Sequence, residues 1–150
     1  MKYVLALAAA LLCTSAYAQS APWDSLEHQG ARYAGTKDDQ QNAVIFVCPV
    51  TGAQQMIVRS QQFRVSVPDD RQYTLTFVTD RGRSEVVAKA KDAELIYEAG
   101  DLNAQITLQR LMEDIAASKS FAVAMSPFGW KGKFTAEGAA AALKSMIGGC

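Results

Sequence analysis

From Asn42 to Glu98 the chain is a succession of short apolar or alternating segments, each stopped by turn residues, and this pattern leaves few folds open. "NAVIFVCPV" is β-branched, aromatic and apolar until Pro49, which is the composition of a buried strand. Thr51-Gly52 supplies a turn and "QQMIVRS" the next strand, so the two form a hairpin. "FRVSVP" alternates, with Phe63, Val65 and Val67 on one face, and "QYTLTFVT" repeats the pattern with Tyr73, Leu75 and Phe77. "DRGR", Asp80 to Arg83, makes a turn. "SEVVAKAK" and "ELIYEA" add one or two strands, and Lys89 and Lys91, alternating with Ala88 and Ala90, keep one face of that region wet.

The period changes after Gly100. "DLNAQITLQRLMEDIAAS" carries Leu108, Leu111, Met112, Ile115 and Ala116 at helical spacing, with Asp101 or Asn103 placed to cap the start. "SFAVAMSP" returns to alternation through Phe121, Val123 and Met125, and "GWKGKF" follows with Trp130, Gly132 and Phe134 on one face. "TAEGAAAALKSMIGG" is helical again, with Thr135 as cap, Glu137 in the first turn, an apolar stripe through Ala139, Ala142, Leu143 and Met146, and Gly148 as the stop. These segments predict an α+β fold. It has a mostly antiparallel, sandwich-like sheet of six to eight strands and two helices near the C-terminus that cover one face or close one end.

Ahead of this domain, which the pattern places at residues 43–150, lie two segments of different character. "MKYVLALAAALLCTSAYAQS" has Lys2, an apolar run from Val4 to Leu12 and the small-x-small triplet Ala16-Tyr17-Ala18. This reads as a secretory signal peptide over residues 1–18, cleaved after Ala18. Its apolar run is too short for a permanent anchor, and no later stretch is apolar enough to cross a bilayer. Cys13 would be a lipid acceptor only in a lipoprotein signal, but Leu12 precedes it where such signals use a small residue. Residues 19–42 are polar and weakly patterned, a lead-in with one short strand around Ala31–Ala34.

Removing the leader removes Cys13 and leaves Cys48 and Cys150. Two cysteines in an exported chain read as one disulfide. A Cys48–Cys150 bond closes a loop of about 100 residues, which the chain-entropy model values at about 4–5 kcal/mol. The alternative is a free terminal thiol that pairs between chains.

The chain has 15 basic and 15 acidic residues and no basic stripe or arm, which excludes nucleic acid as the expected partner. With a single histidine, His28, and the cysteines oxidised, a transition-metal site has too few ligands. Asp69, Asp70 and Asp80 sit beside Pro68 and Gly82 and read as turn formers before they read as a cation site. His28 in "SLEHQG" would be the base of any nucleophilic site, and Glu85, Asp92, Glu94, Glu98 and Asp101 are the carboxylates from which a hydrolytic pair would be drawn. All fall in turns or polar alternation. No Cys-x-x-Cys and no phosphate-binding glycine loop is present. These residues imply no cofactor and predict a protein that is not an enzyme.

One stretch suits recognition. "SPFGWKGKF" joins two strands and sets Phe128 and Trp130 beside Lys131 and Lys133, so Phe128, Trp130 and Lys131 are the candidate binding residues. The same alternation also fits Trp130 and Phe134 in the core, with the lysines solvated and Phe128 the exposed anchor.

"VIFVCPVTG", the alternating strands, "LQRLMEDIAASKSFAVAMS" and "KFTAEGAAAALKSMIGGC" together resemble a group of Gram-negative periplasmic β-rich domains. The group includes the invasion-associated locus B family and VasI-like proteins of type VI secretion clusters. The likeness spans roughly Cys48 to Cys150; the further cysteine pairs of the first family and the cysteine-bearing N-terminal module of the second are absent here. The resemblance implies a β-rich fold and a periplasmic setting and carries over no catalytic residue. The expected function is a non-enzymatic binding or accessory protein with a protein partner in the cell envelope. The alternatives are a secreted inhibitor of a host or competitor enzyme, of the lysozyme-inhibitor type, and a hydrolase whose site the sequence does not assemble.

Overall fold

The computed structural model describes residues 21–150. The leader, its cleavage after Ala18 and Cys13 lie outside the described residues. Nine strands run in chain order with three helices among them. They are β1 (Ala21–His28), β2 (Ala31–Lys37), β3 (Ala43–Cys48), β4 (Gln55–Arg59), α1 (Phe63–Ser66), β5 (Gln72–Thr79), β6 (Gly82–Lys91), β7 (Glu94–Glu98), α2 (Leu102–Ala116), β8 (Ser120–Ser126), β9 (Lys131–Thr135) and α3 (Ala139–Leu143).

All strands join one sheet in the order β1-β2-β3-β4-β7-β6-β5-β8-β9, and every pairing is antiparallel. The α+β class, the antiparallel sheet and the disulfide thus match expectation, with nine strands in place of six to eight. The sheet is continuous and curls on itself, so that Trp23 of β1 lies 6.1 Å from Phe121 of β8, and α2 and α3 pack on the same inner face. The ends of the layer approach each other: the Trp23 amide donates to Glu137 O at 3.2 Å, and the Trp23 indole donates to Thr135 O at 2.9 Å. A register shift between Ala21 and Asp24 turns Trp23 inward to make these contacts.

Two elements differ from the sequence reading. Residues 21–37 form two strands where one short strand was expected. "FRVSVP" is not a strand: Phe63–Ser66 make one helical turn, in which Phe63 is buried and Val65 is 91% exposed. Phe63 reaches the core edge-on to Trp130, with ring centroids 5.2 Å apart, and a single anchor of this kind does not need alternation. Both expected later helices are present. Asp101 caps α2 by accepting from the Ala104 amide at 2.8 Å, and Leu108, Leu111, Met112 and Ile115 are fully buried. The last helix is shorter than its pattern. Gly138 is its N-cap, while the Thr135 hydroxyl accepts from the Glu137 amide one turn earlier.

The core is aromatic between the closing ends of the sheet. Trp23 lies 6.0 Å from Phe46 and 6.1 Å from Phe121, and Phe121 stacks on Phe134 at 5.2 Å. Trp130 belongs to the same core.

Candidate functional site

The register of β1–β4 builds a site on the outer face, opposite the helices. Side chains paired across neighbouring strands share a face. Gly35 pairs with Ile45, Ile45 with Ile57, and Ile57 with Ile96, giving one apolar row over β2, β3, β4 and β7. A second row runs from Leu26 through Tyr33 to Val47. Between them is a hollow of about 380 Å³, floored by Gly35 and Ile45 and rimmed by Asp24, His28, Tyr33 and Arg59.

Gly35 is what opens the hollow. A Cβ there would stand 2.8 Å from Val44 O and 3.2 Å from the Ile45 Cγ1, so the missing side chain lets Ile45 lean across the strand. Leu26 is 56% exposed at the edge, while Val47 at the other end of that row is only 5% exposed. The charged groups on the rim are partly engaged. Arg59 pairs with Glu94 across the β4–β7 ladder, and Asp24 Oδ1 accepts from the Ser25 amide at 2.8 Å. The hollow thus has an apolar floor with a few polar groups at its edge.

The residues singled out from sequence are spread over the molecule. Trp130 is 4% exposed and packed on Phe63; Phe128 is 44% exposed at the tip of the β8–β9 hairpin; Lys131 is exposed and opens onto the outer face of β5 and β8. Of the three, Phe128 and Lys131 are exposed to solvent. Cys48 and Cys150 are bonded, with Cα atoms 5.5 Å apart.

His28 lies on the rim of the hollow with Asp24, and the residues lining that hollow include no serine or cysteine. The aspartates read as turn formers lie in turns, and their side chains tie those turns to other segments. Asp69 accepts from the Asp92 amide at 2.9 Å, Asp80 accepts from the Lys119 amide at 2.8 Å, and Asp70 pairs with Lys89 at 2.8 Å. The Lys89 ammonium holds the Asp70 carboxyl below its ordinary range. Glu85 is likewise lowered by the adjacent Arg83 guanidinium. Among the described residues no three His, Cys, Asp or Glu side chains group as metal ligands, and no helix is long and apolar enough to cross a membrane.

The hollow was not found from sequence because its first strands read as a polar lead-in. The signal was there: Asp24, Leu26 and His28 alternate, and "QG" at 29–30 is a two-residue turn with positive φ at both positions. No protein-family model, curated protein or solved structure matches the chain.

Proposed function

We propose that the protein is an exported, non-catalytic binding protein that recognises a protein partner in the cell envelope with the outer face of β1–β4. One observation carries the reading: β3 is apolar on both faces, but the helices cover only one. Val44, Phe46 and Cys48 face the core, while Ile45 faces out beside Ile57, both half-buried, and Val47 on the same side is already covered within the Leu26–Tyr33–Val47 row. A strand of this composition normally lies between two covering layers. Here the second layer is supplied by the partner, whose apolar side chains gain about 25 cal/mol for each Å² withdrawn from water. Asp24, His28 and Arg59 at the rim orient it. The Cys48–Cys150 bond is compatible with an oxidising compartment such as the periplasm.

Cross-linking of the tagged mature chain in its native envelope tests this. One dominant protein is captured by the parent, and Ile57→Glu removes the capture without lowering the unfolding temperature by more than a few degrees. Turnover of a substrate by the purified chain, lost on His28→Ala, would overturn the non-catalytic reading.

The exposure of Phe128 beside Lys131 favours a second face, the β8–β9 hairpin tip, which suits an inhibitor that inserts a loop into an enzyme. In that case Phe128→Ala removes the capture and Ile57→Glu leaves it intact.

A further inference from the structure

We infer that β1 is a self-pairing edge: two copies of the chain join antiparallel through Asp24–His28 about a two-fold axis at Leu26, so that the two sheets and their outer hollows become continuous. This does not depend on the envelope partner.

β1 ends the sheet, and residues 24–28 are exposed along it. The bulge commits only the start of the strand, where Trp23 is held by Glu137 and Thr135. The other end strand, β9, shows Lys131 and Lys133, the usual guard against strand addition. β1 has no lysine.

Hairpin geometry says which backbone groups are available. Gln29 and Gly30 have φ of 51° and 79°, a type I′ turn that makes His28 and Ala31 a hydrogen-bonded pair. The antiparallel ladder alternates from there, so Asp24, Leu26 and His28 turn their N–H and C=O groups towards β2. Ser25 and Glu27 turn theirs to the open edge, where the Ser25 N–H meets Asp24 Oδ1 of its own chain at 2.8 Å, a bond between neighbours that the pairing exchanges for one to the second copy.

Three two-fold registers use those groups. Centred on Glu27, the pairing sets that carboxylate against its own copy. Centred on Ser25, it requires Trp23, which is already bonded elsewhere. Centred on Leu26, it makes Ser25 and Glu27 the hydrogen-bonded pairs and Leu26 a close non-hydrogen-bonded pair with its own copy. It also sets each Asp24 opposite His28 of the second copy, where the imidazole N–H donates to the carboxylate. Asp24, Leu26 and His28 all border the hollow, so the two hollows meet across the axis. The strand is thus self-complementary in backbone groups, apolar contact and charge, which is the chemistry of β-strand addition. Five residues a side make a small interface, the size of weak, transient contacts, so the association is reversible.

Sedimentation of the purified, disulfide-intact mature chain over a concentration series reads the association. A reversible dimer is expected. Leu26→Lys, at an exposed position, sets two ammonium groups together and removes it. Glu27→Pro deletes only an outward N–H and does the same with the hairpin retained. His28→Asp weakens the dimer about tenfold because the two-fold doubles each like-charge pair, His28→Lys tightens it, and Asp24→His combined with His28→Asp restores it. A monomer at every concentration overturns the inference. So does a dimer indifferent to Leu26→Lys, a double exchange that fails to restore, or a dimer that disappears only on reduction, which would place the contact at Cys150.

Discussion

Gln54 is a polar side chain in the core, and its partners explain how the end of the chain is held. Its Nε2 lies 3.8 Å from both Cys48 Sγ and Met112 Sδ and 3.5 Å from Met146 O, while its Oε1 accepts from Gln109 Nε2 at 3.0 Å. Gln109 in turn donates to Met146 O at 3.2 Å and accepts from the Gly148 amide at 2.6 Å. Two glutamines therefore tie the segment leading into β4, α2 and the C-terminal tail beside the disulfide. Gln109→Leu removes three of these bonds and leaves the Gln54 oxygen buried without that donor, which costs about 1–3 kcal/mol. Urea unfolding of oxidised protein measures it, and an unchanged midpoint would show the tail to be held by the disulfide alone. Tyr97 makes a pH prediction. Burial raises its phenol above the ordinary value, a Thr107 hydrogen bond opposes the shift, and the Asp101 carboxylate adds to it. The hydroxyl donates to Ala104 O at 3.3 Å. A raised folded value means that the unfolded chain loses its proton first. The contribution is therefore complete below about pH 10, the ordinary tyrosine range, and is lost as pH climbs through the folded value. Ultraviolet titration should show a late-ionising component that is lost in Tyr97→Phe, and the variant should lose less stability on going from pH 9 to 11.

At the scale of elements, the β2–β3 ladder carries the outer hollow and is the least tolerant place to change it. Gly35→Ala puts a methyl 2.8 Å from Val44 O, a contact with backbone that cannot swing away. Overpacking of this kind costs about 1–3 kcal/mol, so Gly35→Ala should lower the urea midpoint, whereas Ile57→Ala on the same face should change it far less. If both were neutral, the two strands would be freer to separate than their register implies. The same elements show what was legible in the residues. Strand β3 could be read from its unbroken apolar run, and β4, β5, β8, β9 and helix α2 from one regular buried face, as with Tyr73, Leu75 and Phe77 or Leu108, Leu111, Met112 and Ile115, while β6 and β7 were expected as one strand or two. The β1–β2 hairpin was obscured because its outer alternation is Asp24, Leu26, His28 and its one large core residue, Trp23, sits in the bulge, out of phase with that alternation. Val65 misled for the opposite reason. It sits between Phe63 and Val67 in an alternating run, yet a single helical turn exposes it. Phe128 and Trp130 are two apart and were read together, but only Trp130 finds the aromatic core.

The whole molecule is closed twice, and the two closures bear on different parts of the chain. Trp23 joins the first strand to the segment after β9, and Cys150 joins the last residue to the end of β3. The bond spans 102 residues of sequence, enclosing every element from β4 to α3. A link over that span restricts the unfolded chain far more than it restrains the folded one, with a value of about 4–5 kcal/mol in the entropy model and about 2–5 kcal/mol for removal of native bonds in small exported domains. Cys150→Ser should therefore lower stability to unfolding by a few kcal/mol while the fold persists at 25 °C, because the Gln54–Gln109 network still holds the tail. The exposures of the two sulfur-bearing residues sharpen this. Cys150 lies at the surface, whereas Cys48 is 2% exposed beneath the helices. In oxidised protein neither should react with an alkylating reagent. After reduction under native conditions Cys150 should be modified at once and Cys48 only at the rate of opening, so mass spectrometry should find a singly labelled species that persists. Rapid labelling of Cys150 in unreduced protein would break the pairing, and equal rates at both cysteines after reduction would mean that the bond, not the packing of α2 and α3, keeps Cys48 covered.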